Sequence, residues 1–266
     1  MDDLRPLSTD ILNAALAGVD RGVFGLSLVY QSQVGSTNDY LHSLASQGAP
    51  EGTVVIADEQ TEGRGRLGRA WVAPPNTSLL FTTLFRPSLH PEYAHQLVMV
   101  AGLAIAEACE EMTGVTVDVK WPNDLQIGGK KFVGILLESS VMADQIEWLI
   151  VGTGINVNHR FEPADPLAET ATSLRVACGQ TIDRASLFAL ILRNYYHWHS
   201  RLGEDQLISA WRLRCITLGR RVSVQSQTGL VTGLAHNIGS SGVLHIKDDS
   251  GNVHFIHASE ATIIHD

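Results

Sequence analysis

The stretch GRGRLGRAWVAPPN, residues 63–76, decides which class of α/β fold the chain can adopt. Its three glycines have the spacing G-x-G-x-x-G of a dinucleotide-binding turn, which leads directly into a helix that binds pyrophosphate at its N-terminus. Here Pro74 and Pro75 follow shortly afterwards. Proline lacks a backbone donor and keeps the preceding residue out of the helical region, so no helix is expected after Gly68. The stretch therefore argues against a Rossmann fold and predicts a loop.

The same loop carries three arginines, Arg64, Arg66 and Arg69. A nucleic-acid segment is disfavoured, because the chain has a formal net charge of −9 and no aromatic residues alternate with the arginines. A solvated turn with incidental charges stays open. A flexible loop that closes on an anion is favoured, since glycine allows close approach and arginine offers paired donors to a carboxylate or phosphate.

Composition narrows the class of protein. With 266 residues, 44% of them hydrophobic and 18% charged, the chain is long enough for one large globular domain or two unequal ones. It has no run of 18 apolar residues and no leader-like N-terminus, which argues against a membrane span and a signal peptide. The widely spaced Cys109, Cys178 and Cys215 predict free thiols in a reducing cytoplasm, and a nucleophilic role for one of them stays open.

Hydrophobic periodicity outward from the loop predicts a mixture of strands and helices. Strands are expected at 26–30, 53–57, 78–85, 115–120, 125–127, 132–138 and 146–157, and helices at 8–18, 36–48, 91–112, 185–202 and 207–214. A loop is expected at 161–174. After about Leu218, short apolar strands separated by turns at 227–229, 239–242 and 248–251 predict a small antiparallel barrel or sandwich. A domain boundary is therefore expected near residue 217.

A second stretch with chemical potential is KWPND, residues 120–124. Lys120, Asn123 and Asp124 supply a cation, an amide and a carboxylate on one short turn. Such a set suits a nucleotide with Mg²⁺, which prefers oxygen ligands and phosphates. A strand end with ordinary turn residues explains the stretch equally well when it is considered alone.

Two strands that contain glycine follow this turn. In GGKKFVGILLE, residues 128–138, regular alternation places Lys131 on the same face as Val133, where it either snorkels to solvent or enters a pocket as a point charge. Gly134 in this strand and two glycines in GTGINVN, residues 152–158, allow a ligand or a neighbouring backbone to approach closely. A simple bulge is the alternative for the second strand.

Taken in this order, five stretches resemble the biotin protein ligases: STN at 36–38, GRGRLGR at 63–69, KWPND at 120–124, KKFVGILLE at 130–138 and GTGINVN at 152–158. The resemblance covers about residues 26–160 closely and the C-terminal part more loosely. It implies an α/β (α+β) fold, with a central mixed β-sheet and helices over residues 1–216. A small C-terminal SH3-like β-barrel over residues 217–266 is expected to follow.

The resemblance implies that the chain makes biotinyl-5′-AMP from biotin and ATP with Mg²⁺, and then transfers biotin to a lysine of a biotin carboxyl carrier protein. About 25 residues precede the first strand, too few for the DNA-binding domain of some members, so a ligase-only type without a DNA partner is expected. Known relatives include monomers and homodimers, and both stay open for this chain.

Roles follow from the matched positions. The biotin-binding residues are expected to be Ser36, Thr37, Asn38, Gln60, Arg64, Gly65, Arg66, Lys131, Gly134, Gly152 and Gly154. The nucleotide-binding residues are expected to be Arg69, Trp71, Lys120, Asn123, Asp124 and Asn156. Arg66 and Lys131 are expected to stabilise charge during catalysis, with Asp124 as the candidate base. No side chain is assigned as a metal ligand, because Mg²⁺ is expected on the pyrophosphate.

Two departures and two alternatives accompany this assignment. Leu67 stands where members often have a further basic residue. An arginine that some members have near the C-terminus is missing here, and this second departure puts the contribution of the barrel to ATP binding in doubt. A lipoate- or octanoate-attaching ligase is the alternative within enzymes. A nucleic-acid-binding module is the alternative outside them, and it predicts salt-sensitive binding without ATP-dependent chemistry.

Overall fold

A seven-stranded mixed sheet forms the centre of the protein. The computed structural model describes residues 4–162, 164–226, 229–258 and 262–265. Within these residues the spatial order of the strands is β1-β2-β3-β7-β6-β5-β4. The strands are β1 (Leu28–Gln31), β2 (Val54–Ala57), β3 (Ser78–Phe85), β4 (Asp118–Lys120), β5 (Asp124–Ile127), β6 (Lys130–Met142) and β7 (Gln145–Asn156). Strands β1 and β2 run parallel and the other neighbouring pairs are antiparallel, so the predicted mixed sheet is confirmed.

The helices cover the two faces of this sheet unequally. They are α1 (Thr9–Leu16), α2 (Thr37–Ser46), α3 (Gln96–Thr113), α4 (Leu174–Cys178), α5 (Arg184–His199) and α6 (Asp205–Arg214). On one face α3 packs against α5, with α1 beside α5 and α6 beside α3, and the main hydrophobic core lies under this layer. On the other face the short helix α2 packs through Leu41 and Ala45 against Leu84 and Ile150 of the sheet. The second face is therefore covered mainly at one end.

A β-bulge decides the side on which Lys131 lies. The register of the β5–β6 pair shifts so that Phe132 is an extra residue between two paired positions. Phe132 and Val133 both lie in the main core. Lys131 is thereby turned to the opposite face with Gly134, where a Cβ on the glycine would lie 3.3 Å from Lys131 Nζ. The prediction that Lys131 shares the face of Val133 is wrong, because it assumed regular alternation.

The C-terminal part forms a second, smaller antiparallel sheet. In the described residues its order is β11-β10-β9-β8-β12. The strands are β8 (Arg221–Ser226), β9 (Gly229–Ile238), β10 (Leu244–Lys247), β11 (Val253–Ile256) and β12 (Thr262–His265). The loop before β10 contacts the central part, since Trp121 Nε1 donates to the carbonyl of Gly242 at 3.0 Å and Gln96 Nε2 donates to that of Ser240 at 2.9 Å. The predicted small antiparallel unit is confirmed, and residues 227 and 228 of one expected turn lie outside the described residues.

Two predicted segments differ from the structure. The expected helix at 91–112 is divided into a short 3₁₀ turn, Pro91–Tyr93, and α3, because the first turns are held by bonds to the third preceding residue, such as Tyr93 to His90. The expected loop at 161–174, of which Pro163 lies outside the described residues, runs into helix α4 at its end. Ser173 caps that helix, with its hydroxyl accepting from Val176 N. Among the described residues, no helix is both long and apolar enough to cross a membrane.

Candidate active site

One cavity of about 460 Å³ is lined by all the residues that the sequence predicted for the site. It lies on the face of the sheet that carries α2, above the glycine-containing parts of β6 and β7. The predicted residues that line it are Ser36, Thr37, Asn38, Gln60, Arg64, Gly65, Arg66, Arg69, Trp71, Lys120, Asn123, Asp124, Lys131, Gly134, Gly152, Gly154 and Asn156. The structure therefore places these residues together, although they come from segments far apart in the chain.

The N-terminus of helix α2 forms an uncharged polar end of the cavity. Ser36, Thr37 and Asn38 are all buried there. Gln60 Oε1 accepts from both Thr37 N at 2.8 Å and Thr37 Oγ1 at 3.0 Å. On the sheet side, the hydroxyl of Thr82 lies 2.8 Å from Thr37 Oγ1 and 2.6 Å from Asn38 Oδ1. This end presents hydroxyl and amide groups that both donate and accept hydrogen bonds.

Three glycines form the floor of the cavity. A Cβ on Gly152 would lie 2.1 Å from Asn38 Oδ1, and one on Gly154 would lie 2.4 Å from the indole of Trp71. A Cβ on Gly134 would lie 2.8 Å from the same indole. The close approach that these glycines permit is therefore to the side chains of the site itself, which rest directly on the sheet backbone.

The glycine–arginine loop is a short hairpin over the mouth of the cavity. Gly65 N donates to the carbonyl of Arg69 at 2.7 Å, and Trp71 N donates to that of Gly63 at 2.9 Å. The helical structure at its tip is limited to one short 3₁₀ turn, Arg66–Gly68, which agrees with the prediction of a loop. Leu67 in that turn has φ 57° and is largely exposed, a backbone conformation that a leucine seldom adopts.

The arginines of the loop have different partners. Arg64 is held by both carboxylate oxygens of Asp39, one of them at 2.9 Å, and this hydrogen bonding raises the pKa of the guanidinium. Arg66 Nη1 donates to Asn123 Oδ1 at 3.1 Å, and its Nη2 donates to the carbonyl of Ala258. Burial lowers the pKa of the Arg66 guanidinium. Arg66 thus connects the loop to the KWPND turn and to the C-terminal part of the chain.

The KWPND turn and strand β6 bring a carboxylate and an ammonium group together. Lys131 Nζ lies 2.6 Å from Asp124 Oδ1 and 5.7 Å from the centre of the Trp71 ring. Asn123 is fixed to β6, since its Nδ2 donates to the carbonyl of Ile135 at 2.7 Å and its own carbonyl accepts from Ile135 N at 3.1 Å. The peptide bond before Pro122 is cis. Together these contacts hold the two charged groups at the same wall of the cavity.

Sequence reasoning missed several residues that complete the site. Thr82 and Glu138 belong to the hydrogen-bond network around Asn38. Their only sequence signal is their position on strands whose alternate residues reach the cavity. The apolar wall formed by Phe161 and Leu167 lies in the segment expected to be a loop, where no periodic pattern distinguishes a wall residue from a solvated one.

A metal site made of protein side chains does not arise from this arrangement. In the part of the chain that the structure describes, no three His, Cys, Asp or Glu side chains are grouped so that they could hold a metal ion. Buried His95 is a neutral group near Arg66: burial, with a smaller contribution from the Arg66 charge, lowers its pKa to about 4. The charges that dominate the cavity are therefore those of its arginines, lysines and Asp124.

This cavity combines an uncharged polar end with a cationic wall under a glycine–arginine loop, a combination that suits the site of a ligase that joins an acid to a nucleotide. Residues 30–156 match the model of the biotin/lipoate A/B protein ligase family. Similar proteins are the bifunctional ligase/repressor BirA of Bacillus spizizenii, 35% identical over 88% of this chain and 73% of that protein, and the biotin--[acetyl-CoA-carboxylase] ligase of Mycobacterium tuberculosis, 34% identical over 91% of both chains. Among solved structures, the biotin protein ligase from Aquifex aeolicus in complex with biotin and ATP is similar, with a TM-score of 0.77 and 31% identity over 91% of this chain and 100% of that one.

The chain therefore belongs to the biotin/lipoate A/B protein ligase family, and within it to the biotin protein ligases. It is an enzyme of that type. The fold expected from the resemblance agrees with this membership.

Proposed function

We propose that this protein activates biotin with ATP to form biotinyl-5′-AMP and then transfers biotin to a lysine of a biotin carboxyl carrier protein. The observation that carries the proposal is the single cavity of about 460 Å³ in which an uncharged polar end adjoins a cationic wall. A molecule with a neutral cyclic urea at one end and a carboxylate at the other fits this division. Similar ligases whose structures contain biotin and ATP support it.

The polar end suits the ureido ring of biotin. The ring has a carbonyl that accepts and two N–H groups that donate, and it carries no charge. Ser36, Thr37, Asn38 and Gln60 offer both kinds of partner. The burial of Ser36, Thr37 and Asn38 excludes water that would compete for these bonds. At this end, Gly152 lets the Asn38 amide lie directly on the sheet backbone.

The cationic wall suits a carboxylate next to a phosphate. Lys131 and Arg66 reach the cavity from two sides, and Lys120 and Arg69 line it further along. An arginine offers paired donors to a phosphate, while a lysine acts as a point charge. We assign Lys131 to the biotin carboxylate and the α-phosphate, and we assign Arg69, Trp71, Lys120, Asn123 and Asn156 to the nucleotide.

In the first step a carboxylate oxygen of biotin attacks the α-phosphorus of ATP. The new bond joins this oxygen to phosphorus while the bond from phosphorus to the β-phosphate oxygen breaks, so pyrophosphate leaves. Two anions must meet, and binding them side by side removes much of the entropic cost of the encounter. Lys131 and Arg66 stabilise the negative charge that accumulates, so no protein nucleophile is needed.

In the second step the ε-amine of a carrier lysine attacks the acyl carbon of the mixed anhydride, and AMP leaves. A free lysine has a pKa near 10.4, so the ammonium group must lose a proton to become a nucleophile. We assign Asp124 as the acceptor of that proton. The glycine–arginine loop covers the cavity in the meantime, because the adenylate would hydrolyse in contact with water.

Mg²⁺ is proposed to accompany the triphosphate. The ion would be held mainly by phosphate oxygens, with the Asp124 carboxylate at the same wall of the cavity and no side chain assigned as its ligand. When bound, the ion neutralises charge on the leaving pyrophosphate. A cytoplasmic location is proposed as well, and the free thiols of Cys109, Cys178 and Cys215 agree with a reducing compartment.

We also propose the division into a catalytic domain, residues 1–216, and a C-terminal domain, residues 217–266. The contact of Arg66 with the carbonyl of Ala258 gives the second domain a part in the site, because it holds a loop arginine that faces the substrates. The proposal includes no DNA partner, in keeping with the formal charge of −9.

The test is to incubate the purified protein with ATP and Mg²⁺ together with biotin or lipoate, and to measure pyrophosphate release. Biotin-dependent release is the expected result. Pyrophosphate release with lipoate but not with biotin would identify the protein as a lipoate-attaching ligase. No release with either acid would contradict both kinds of adenylating ligase.

A further inference from the structure

Glu138 lies next to the polar end of the cavity, behind the side chains that line it. It is on β6, four residues beyond Gly134, and is partly buried. Glu138 Oε2 accepts from Asn38 Nδ2 at 2.8 Å, and its Oε1 lies 3.9 Å from the guanidinium of Arg64. The carboxylate therefore contacts both a residue assigned to biotin and a residue of the covering loop.

The carboxylate fixes the orientation of the Asn38 amide. A carboxylate only accepts, so the amide nitrogen of Asn38 must face Glu138 and the amide oxygen must face Thr82. The amide oxygen also only accepts, so the single hydroxyl proton of Thr82 is donated to Asn38. Thr37 Oγ1, whose own proton is donated to Gln60 Oε1, lies 2.8 Å from Thr82 Oγ1 as a second acceptor for the Thr82 hydroxyl.

Asn38 has no freedom to respond in another way. It is 5% exposed, and a Cβ on the neighbouring Gly152 would lie 2.1 Å from its Oδ1. Rotating the amide by half a turn would place its oxygen against the carboxylate of Glu138, so that two acceptors face each other and the buried amide oxygen has no donor. The orientation of the amide is therefore determined by hydrogen bonding to Glu138.

We propose that Glu138 is a positioning residue for biotin specificity: it sets which atom of the Asn38 amide presents a proton and which presents a lone pair to the ligand. The proposal rests on the proposed function, since it deepens the recognition of the neutral ring at that site. A cyclic urea needs donors and acceptors in a fixed order. An amide held in one orientation supplies that order before the ligand arrives.

The first test replaces Glu138 by glutamine, which has the same shape but can both donate and accept. Asn38 then loses its fixed orientation, and biotin binding measured by calorimetry on the full chain is expected to weaken about tenfold or more. In the pyrophosphate assay the KM for biotin is expected to rise while kcat and the KM for ATP change little. Glu147→Gln is the matched control, because Glu147 also accepts from a hydroxyl, that of Ser140 at 2.6 Å, on the same hairpin but away from the cavity.

A second test separates positioning from a merely structural role. Asn38→Asp alone opposes two carboxylates and is expected to lower the melting temperature. Adding Glu138→Gln restores a hydrogen bond with reversed direction, so the double variant is expected to regain thermal stability but not biotin binding. Recovery of both properties, or unchanged biotin binding in Glu138→Gln, would overturn the inference while leaving the proposed function intact. Failure of the wild-type protein to bind biotin would overturn both.

Discussion

Asp124 Oδ1 and Lys131 Nζ lie 2.6 Å apart, so the residue assigned as base and the residue assigned to the substrate anions are each other's partner. In the proposed mechanism, the carboxylate of the substrate binds Lys131 in place of the Asp124 carboxylate. Asp124 is released by that exchange and becomes able to accept a proton. In the proposed mechanism, this ion pair orders the two steps, with Lys131 acting first and Asp124 acting when the carrier lysine arrives.

Replacing Lys131 by methionine tests the first of these roles. The substitution keeps the length of the side chain and removes the charge that stabilises the meeting of carboxylate and phosphate. We expect biotin-dependent pyrophosphate release to fall by about 10²–10³-fold. Lys130→Met is the matched control, because Lys130 is the neighbouring lysine but its Nζ donates to the carbonyl of Ala168 on the surface. Equal loss in both variants would count against a catalytic role.

Replacing Arg66 by glycine tests the covering function of the loop. The change removes the links to Asn123 and to the carbonyl of Ala258, so the loop loses its attachment to the C-terminal part. We expect biotinyl-5′-AMP to dissociate about tenfold faster or more, with unspecific biotinylation of bystander lysines. Arg201→Gly, a surface arginine outside the cavity, serves as control. An unchanged dissociation rate in Arg66→Gly would refute the closing-loop account.

Buried His95 makes stability depend on pH. Burial lowers its pKa from 6.5 to about 4 in the folded state. Between these values the unfolded chain binds a proton that the folded chain does not, so the free energy of unfolding falls as the pH falls from 6.5 to 4, by about 3 kcal/mol in all. Denaturant titrations of His95→Gln should show a smaller fall across this window. The exposed His197→Gln should behave like wild type, and a His95 variant with the wild-type slope would contradict the assignment.

The buried pair of Arg184 and Asp58 is expected to dominate the stability of the N-terminal region. Arg184 Nη1 donates to Asp58 Oδ1 at 2.6 Å, and both side chains are 4% exposed. Arg184→Ala leaves a buried carboxylate without its cation, which costs about 3–5 kcal/mol in unfolding free energy. The exposed pair of Arg193 and Glu111 provides the control, since Arg193→Ala should cost less than about 1 kcal/mol. Similar losses of unfolding free energy in the two variants would show that burial does not determine how much each ion pair contributes to stability.

The fold was predictable where local pattern and tertiary packing agree. The strand at 78–85 has the predicted bounds, because every residue in it is buried and β-compatible. The side taken by Lys131 was not predictable, since it depends on a bulge that only the pairing of β5 with β6 reveals. Hydrophobic periodicity is a property of one segment, whereas a β-bulge is defined by the pairing of two strands.

The sequence motifs predicted which residues line the cavity, but they did not predict the hydrogen bonds between those residues. Arg66 and Ala258 are 192 residues apart, and no local pattern indicates that a backbone carbonyl so distant completes the loop. Glu138 is a similar case, because it acts through Asn38, which precedes it by 100 residues. Contacts of this kind depend on the assembled sheet and not on the spacing of residues within a motif.

Biotin activation is tested most directly by identifying the molecule that forms in the cavity. The protein is incubated with biotin, ATP and Mg²⁺, freed of unbound small molecules and denatured, and the released ligand is identified by mass spectrometry. We expect stoichiometric biotinyl-5′-AMP from the wild type and from Lys130→Met, and little from Lys131→Met. Absence of biotinyl-5′-AMP from the wild type, or equal amounts from all three proteins, would contradict this expectation.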